Sequence, residues 1–125
     1  MAKVPVFTDD AVNPAVNALT ALLDSGYLRI YDASTTLLAE LRYASTAFGA
    51  ASAGVATANT ITSDTDANAT GTASKFKSYT SSSTLMFYGT VGTSTLFDLK
   101  LNTVAISSGA EVSVSAQTLT LPKST

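Results

Sequence analysis

The chain has 125 residues, a formal net charge of −2 and no His, Cys or Trp, while Ala, Ser and Thr together supply 56 positions. That length fits one domain with a core of its own. Without His or Cys the chain lacks the side chains that carry most nucleophilic, general-base and transition-metal chemistry near neutral pH, and it has no disulfide support. Charged residues are 13% of the total against 46% hydrophobic, which excludes wholesale disorder and leaves an exterior of Ser, Thr, Ala and Asn.

Residues 1–12 read as an extended arm, with Val4, Pro5, Val6 and Phe7 ahead of Asp9-Asp10. The start has no apolar run after Lys3, so it reads as a cytoplasmic beginning and not as a secretory signal. Asn13 then suits an N-cap and Pro14 a first helical position. Val12, Val16, Leu19 and Leu23 follow at helical spacing, and Gly26 suits a left-handed C-cap. These signals predict a helix over about 14–24.

After Gly26 the period changes to two. Tyr27 to Tyr31 alternates, with Leu28 and Ile30 on one face. Residues 32–36 are turn-rich, and 37–43 alternate again, with Leu37, Ala39, Leu41 and Tyr43 sharing a face opposite Glu40 and Arg42. The two segments predict a β-hairpin. Residues 44–60 are Ala-, Ser- and Gly-rich; within them 47–54 read as a loop anchored by Phe48, residues 55–62 as a weak strand, and 63–68 as a polar loop. Strands are predicted over 70–80, 85–91 and 96–101, the last with Phe97, Leu99 and Leu101 inward. A final strand over 111–121 changes phase between Val114 and Leu119, which predicts a bulge near Ala116-Gln117.

The total is seven or eight short strands at regular spacing. It predicts an all-β fold, a β-sandwich of jelly-roll type, with one short helix and the extended arm. Residues 13–125 form a single β domain.

Chemistry-bearing patterns are sparse. Asp64-x-Asp66-x-Asn68 has the first spacings of a calcium loop, but Ala69 and Lys75 stand where the turn glycine and the bidentate glutamate belong. A polar β-loop is the stronger reading. Asp32 with Glu40, and Asp98 with Glu111, are the carboxylate pairs, and neither lies in a hydrolase motif. Serines lack both a G-x-S-x-G turn and a histidine base. The reading is therefore of a non-enzyme, with no catalytic, cofactor or metal residues.

Lys75 and Lys77 are the densest positive spot. No run of cations supports nucleic-acid binding, and no basic amphipathic helix or apolar span of ~18 residues supports a membrane role. The five tyrosines either fill the core or stack on sugars and protein partners.

Several stretches resemble a family of small virion proteins of tailed bacteriophages and prophages. They include Leu22-Leu23-Asp24-Ser25-Gly26-Tyr27-Leu28-Arg29-Ile30-Tyr31-Asp32, Leu37-Leu38-Ala39-Glu40-Leu41 and Ala47-Phe48-Gly49-Ala50-Ala51. Ala69-Thr70-Gly71-Thr72-Ala73 and Gly109-Ala110-Glu111-Val112-Ser113-Val114 extend the likeness towards the C-terminus. These are turn and core patterns, and none is catalytic. The resemblance implies a capsid decoration (cement) protein, made in the bacterial cytoplasm and placed on the capsid surface. Its partners would be the major capsid protein and copies of itself, often as a trimer, with no cofactor and no small-molecule substrate. Val4, Val6 and Phe7 are the expected partner-binding residues, adding as a strand to a neighbouring edge; the bland alternative is a frayed terminus. The alternative function is a small tail-fibre or receptor-binding module that recognises host glycans.

Overall fold

The computed structural model describes residues 8–93 and 99–120. Helix α1 (Asp9–Ala21) opens the described chain. It starts five residues before the predicted position. The Thr8 carbonyl accepts the first amides, from Ala11 at 3.0 Å and Val12 at 2.9 Å. Asp9 and Asp10 then sit in the first turn, where carboxylates complement the helix dipole. Residues 9–12 therefore belong to the helix and not to an extended arm. Pro14 is inside the helix, not first in it. Val12, Val16 and Leu23 are buried as their spacing predicted, and Leu19 only partly so.

Gly26 is not the left-handed residue. That conformation belongs to Ser25, at φ 56°. Gly26 is required for another reason: a Cβ there would lie 2.2 Å from the Tyr79 carbonyl oxygen. The strand that starts at Tyr27 can thus approach its neighbour only through glycine.

The predicted hairpin is present as β1 (Tyr27–Tyr31) and β2 (Leu37–Arg42), paired antiparallel. Asp32 closes its turn, its Oδ1 accepting amides from Ser34 and Thr36 at 2.9 and 2.8 Å. A register shift between Ile30 and Tyr31 makes Leu38 the extra residue, fully buried, and puts Leu37 opposite Tyr31 and only half-buried, not on the inner face with Ala39 as its spacing predicts.

The remaining strands are short: β3 (Val55–Thr57), β4 (Gly71–Thr72), β5 (Lys75–Tyr79), β6 (Leu85–Gly92), β7 (Leu99–Leu101), β8 (Ala105–Ile106) and β9 (Val114–Thr120). The predicted strand over 70–80 divides into β4 and β5, because the Ala73 amide turns to Val104 and the Ser74 amide to Tyr31. Residues 102–110, between two predicted strands, contain β8. The phase change in β9 lies at Ser115, just before the predicted place, where Leu101 pairs with Val114 and Lys100 with Ala116. Leu96, Phe97, Asp98 and Leu121 lie outside the described residues.

The fold is all-β with one short helix. Seven strands form one sheet in the order β2-β1-β5-β6-β7-β9-β3, with a single parallel pair, β6 with β7. The small β4–β8 pair lies against β2, where Gly71 meets Leu38.

The large sheet curls until its two ends are joined. Beyond β3, the Ala58 amide still bonds to Gln117 of β9. Four residues later Thr62 exchanges both backbone bonds with Arg42 at the free edge of β2, at 2.8 and 3.3 Å. Asp64 then accepts the Glu40 amide at 2.9 Å. Residues 58–64 thus strap the last strand to the first. The core inside includes Leu28, Ile30, Leu41, Phe76, Leu99 and Leu101, each contributing ~1.5–3 kcal/mol by burial.

Gly26→Ala is expected to lower unfolding stability by more than about 2 kcal/mol, because the intruded atom is backbone. Ser25→Gly should stay within about 1 kcal/mol of the wild type, because it relieves a left-handed residue at the cost of chain entropy. Urea unfolding of the two variants checks the assignment; equal effects would contradict it.

Candidate functional site

The alternation that buries Leu28, Ile30, Phe76 and Ser78 turns their neighbours outward. On the outer face of β2-β1-β5-β6 the register aligns three rows. Arg42, Tyr27 and Tyr79 form the first; Glu40, Arg29, Lys77 and Tyr88 the second; Tyr31, Lys75 and Thr90 continue the third. Four of the chain's seven Lys and Arg and four of its five Tyr share this face. Counting Arg29, Arg42, Lys75 and Lys77 against Glu40 gives +3, on a chain whose total is −2.

The sequence reading found no basic cluster; the sheet register assembles one. Arg29, Arg42 and the two lysines are up to 48 positions apart in sequence, so no local window reveals them. Only the predicted alternation of each strand, combined with the correct strand order, could have done so.

Most of the rings on this face are already engaged. The Arg29 guanidinium carbon lies 4.6 Å from the Tyr79 ring centre, and that of Arg42 lies 4.4 Å from Tyr27. The Lys77 ammonium lies 5.2 Å from Tyr31. These cation–π contacts fix the long side chains in place. The Tyr31 and Tyr79 hydroxyls meet at 3.3 Å. Burial, followed by that hydrogen bond, pushes the Tyr31 phenol up to about 12.

Arg29 also donates to Glu40 at 2.7 Å, the one ion pair among the described residues. Burial pulls the Arg29 pKa down, but the Glu40 bond and charge outweigh it and leave it raised. Among the described residues Lys75, Lys77 and Arg42 pair with no carboxylate, and Arg42 donates to the Ser25 carbonyl at 2.9 Å. Arg29 stands directly opposite Lys77, a like-charge pair that costs stability in a ladder.

The inward side holds the second feature. Tyr43 follows β2, and its hydroxyl meets Ser78 of β5 at 2.8 Å and Gln117 of β9 at 2.7 Å. Tyr43 donates to Gln117 Oε1, so Ser78 donates to Tyr43. All three are buried. Burial pushes the Tyr43 phenol up to about 12, against a smaller lowering by the two hydrogen bonds. Gln117 Nε2 is the one buried side-chain polar atom without a partner among the described residues. Gln117 borders a slot of about 230 Å³ between residues 58–61 and 114–117.

The sequence candidates are distributed differently. Asp64 spends one carboxylate oxygen on the Glu40 amide and the other on the Asp66 amide, both at 2.9 Å. This makes it a backbone clasp for the strap. No group of three or more His, Cys, Asp or Glu suited to a metal occurs among the described residues. Asp32 is engaged by its turn and Glu40 by Arg29, so that pair shares no site. Val4, Val6, Phe7 and Asp98 lie outside the described residues. No described helix is long and apolar enough to cross a membrane.

No protein-family model, curated protein or solved structure matches the chain.

Tyr43→Phe should cost about 1–3 kcal/mol at pH 7, because Ser78 and Gln117 Oε1 lose their partner in a dry interior. The pH dependence has a defined sign. With the folded pKa near 12 and the ordinary value at 10.0, the folded state holds the proton more tightly than the unfolded chain. The stabilisation is complete below pH 10 and disappears as pH rises to about 12, a loss of roughly 2–3 kcal/mol. Urea unfolding across this range should therefore fall less steeply for Tyr43→Phe, which retains only the Tyr31 contribution. Identical slopes would contradict the assignment.

Proposed function

We propose that the chain is a structural protein of a bacteriophage particle, a capsid decoration (cement) protein that binds junctions between major capsid protein subunits. The observation that carries this reading is the way α1 is pinned to the curled sheet. Val12, Val16 and Thr20 bury one side of the helix. On the exposed flank, Asn13 Oδ1 accepts the Gly54 amide and Asn17 Oδ1 accepts the Ala51 amide, each at 2.8 Å. The chain ahead of Thr8 thus joins the body at a fixed point, and a load on it passes into the core through packing and two hydrogen bonds.

That root suits the gripping role of Val4, Val6 and Phe7. Their alternating and adjacent apolar side chains can add along an exposed edge of a capsid subunit, where main-chain bonds supply affinity and side chains supply register. The body contributes covered edges. The strap 58–64 pairs with β2, and residues 49–52 pair with the β3 region. Copies crowded on a particle then lack a template for sheet-to-sheet aggregation at these edges. The hydroxyl-rich exterior suits close neighbours of the same kind, in keeping with a homo-oligomer on the capsid surface. The residues engaged are ones that bind and brace, with no catalytic step.

The test is reassociation with heads that lack the protein. Full-length chain should co-sediment and saturate at one copy or one oligomer per capsid lattice position. Deleting residues 2–7 should abolish co-sedimentation and leave the melting temperature unchanged. Unchanged binding by the truncated chain would refute the arm mechanism. A few copies per particle, confined to the tail, would favour the receptor-binding alternative.

A further inference from the structure

We infer that the β5–β6 half of the outer face is a binding site for an acidic polysaccharide, with Tyr88 as the stacking ring and Lys77 and Lys75 as the carboxylate-pairing groups. This goes beyond the decoration reading, and the site itself does not depend on it.

Tyr88 differs from the other tyrosines of the face. It is 73% exposed, the most exposed large hydrophobic side chain among the described residues. The rings of Tyr27, Tyr31 and Tyr79 each have a cation over them. Tyr88 has neither a cation nor another ring against it among the described residues. An exposed, flat, unspent π-face is what the apolar side of a pyranose ring stacks on.

The charges beside it have no carboxylate partner among the described residues. Lys77 is directly opposite Tyr88, and Lys75 is two residues along the same strand face. Directly opposed side chains stand about 5 Å apart at Cβ, so one saccharide unit on the Tyr88 ring puts its substituents within reach of Lys77. The Tyr31 ring holds the Lys77 ammonium in place without neutralising it. Arg29 faces Lys77 from the other side. A carboxylate bound here would relieve that like-charge opposition, and a neutral sugar would not.

The form of the face selects among anions. Glu40 ends the central row, so a long polyanion laid along the whole row would meet a carboxylate, whereas a single acidic unit on the β5–β6 half would not. Four cations on a chain of net −2 also give little counterion release to nucleic acid. A protein partner needs roughly 800 Å² on each side around an apolar centre; here Tyr88 and Leu85 are the exposed large apolar side chains. One ring with two ammoniums suits one acidic sugar unit. Such a shallow site is weak singly, and repetition over a particle multiplies it by avidity.

The experiment uses the full chain on immobilised polygalacturonate, with dextran, polyglutamate and oligodeoxythymidine as comparison surfaces. Binding is expected on polygalacturonate and not on dextran. Tyr88→Ala should weaken it by about tenfold or more, while Tyr88→Phe retains it. Lys75→Gln with Lys77→Gln should remove it, and Leu22→Ala, at the exposed end of α1, should leave it unchanged. Melting temperatures verify that each variant is folded. No binding to polygalacturonate, equal binding to dextran, equal or stronger binding to polyglutamate or oligodeoxythymidine, or full binding by Tyr88→Ala would each overturn the inference. Head co-sedimentation is read separately, so either result stands without the other.

Discussion

The hydroxyl of Tyr43 is where the fold is tied together. It accepts a hydrogen bond from Ser78 on the third strand of the sheet order and donates one to Gln117 on the sixth. A chord across the inside of a curled sheet must be made by a side chain, since backbone bonds run only between adjacent strands. In a dry interior each of these polar groups is costly unless paired, so the chain of bonds favours one degree of curl over its neighbours. The buried core also contains small residues, among them Ala39, Ala47, Ala56 and Ala73. Leucine and phenylalanine alone would leave such a core poorly specified; a directional bond supplies what bulk does not.

Closure decides where function can reside. The strap 58–64 takes the free edge of β2, and Asp64 completes it by accepting the Glu40 amide. Under the proposed function, partner recognition would fall to side chains on the outer face and to Val4, Val6 and Phe7. The same period of two writes both surfaces: Leu28 and Ile30 inward, Tyr27, Arg29 and Tyr31 outward. The cations spread on tyrosine rings make that outer face rigid before any partner arrives, which lowers the ordering cost of binding.

What could be read from the residues was what is local. The β1–β2 hairpin follows from its alternation and from Asp32, whose carboxylate is a turn device needing no tertiary partner. The helix was misplaced because Asn13-Pro14 is a strong local start signal. Asn13 instead spends its side chain on Gly54, a contact across 41 positions that no local rule contains. The position of Gly26 after the helix signals a left-handed turn, whereas the constraint there is the approach of Tyr79. The cationic face is invisible in the sequence because its members meet only through register; residues 63–68 are legible as a polar loop, but the Asp64 bond to the Glu40 amide spans 24 positions and lies outside any local window.

An image reconstruction of the intact particle tests the central claim most directly. The account predicts density for the curled sheet at every equivalent position of the capsid lattice, with the start of α1 towards the capsid and Tyr88 towards solvent. Density confined to the tail, or a lattice without this body, would contradict it.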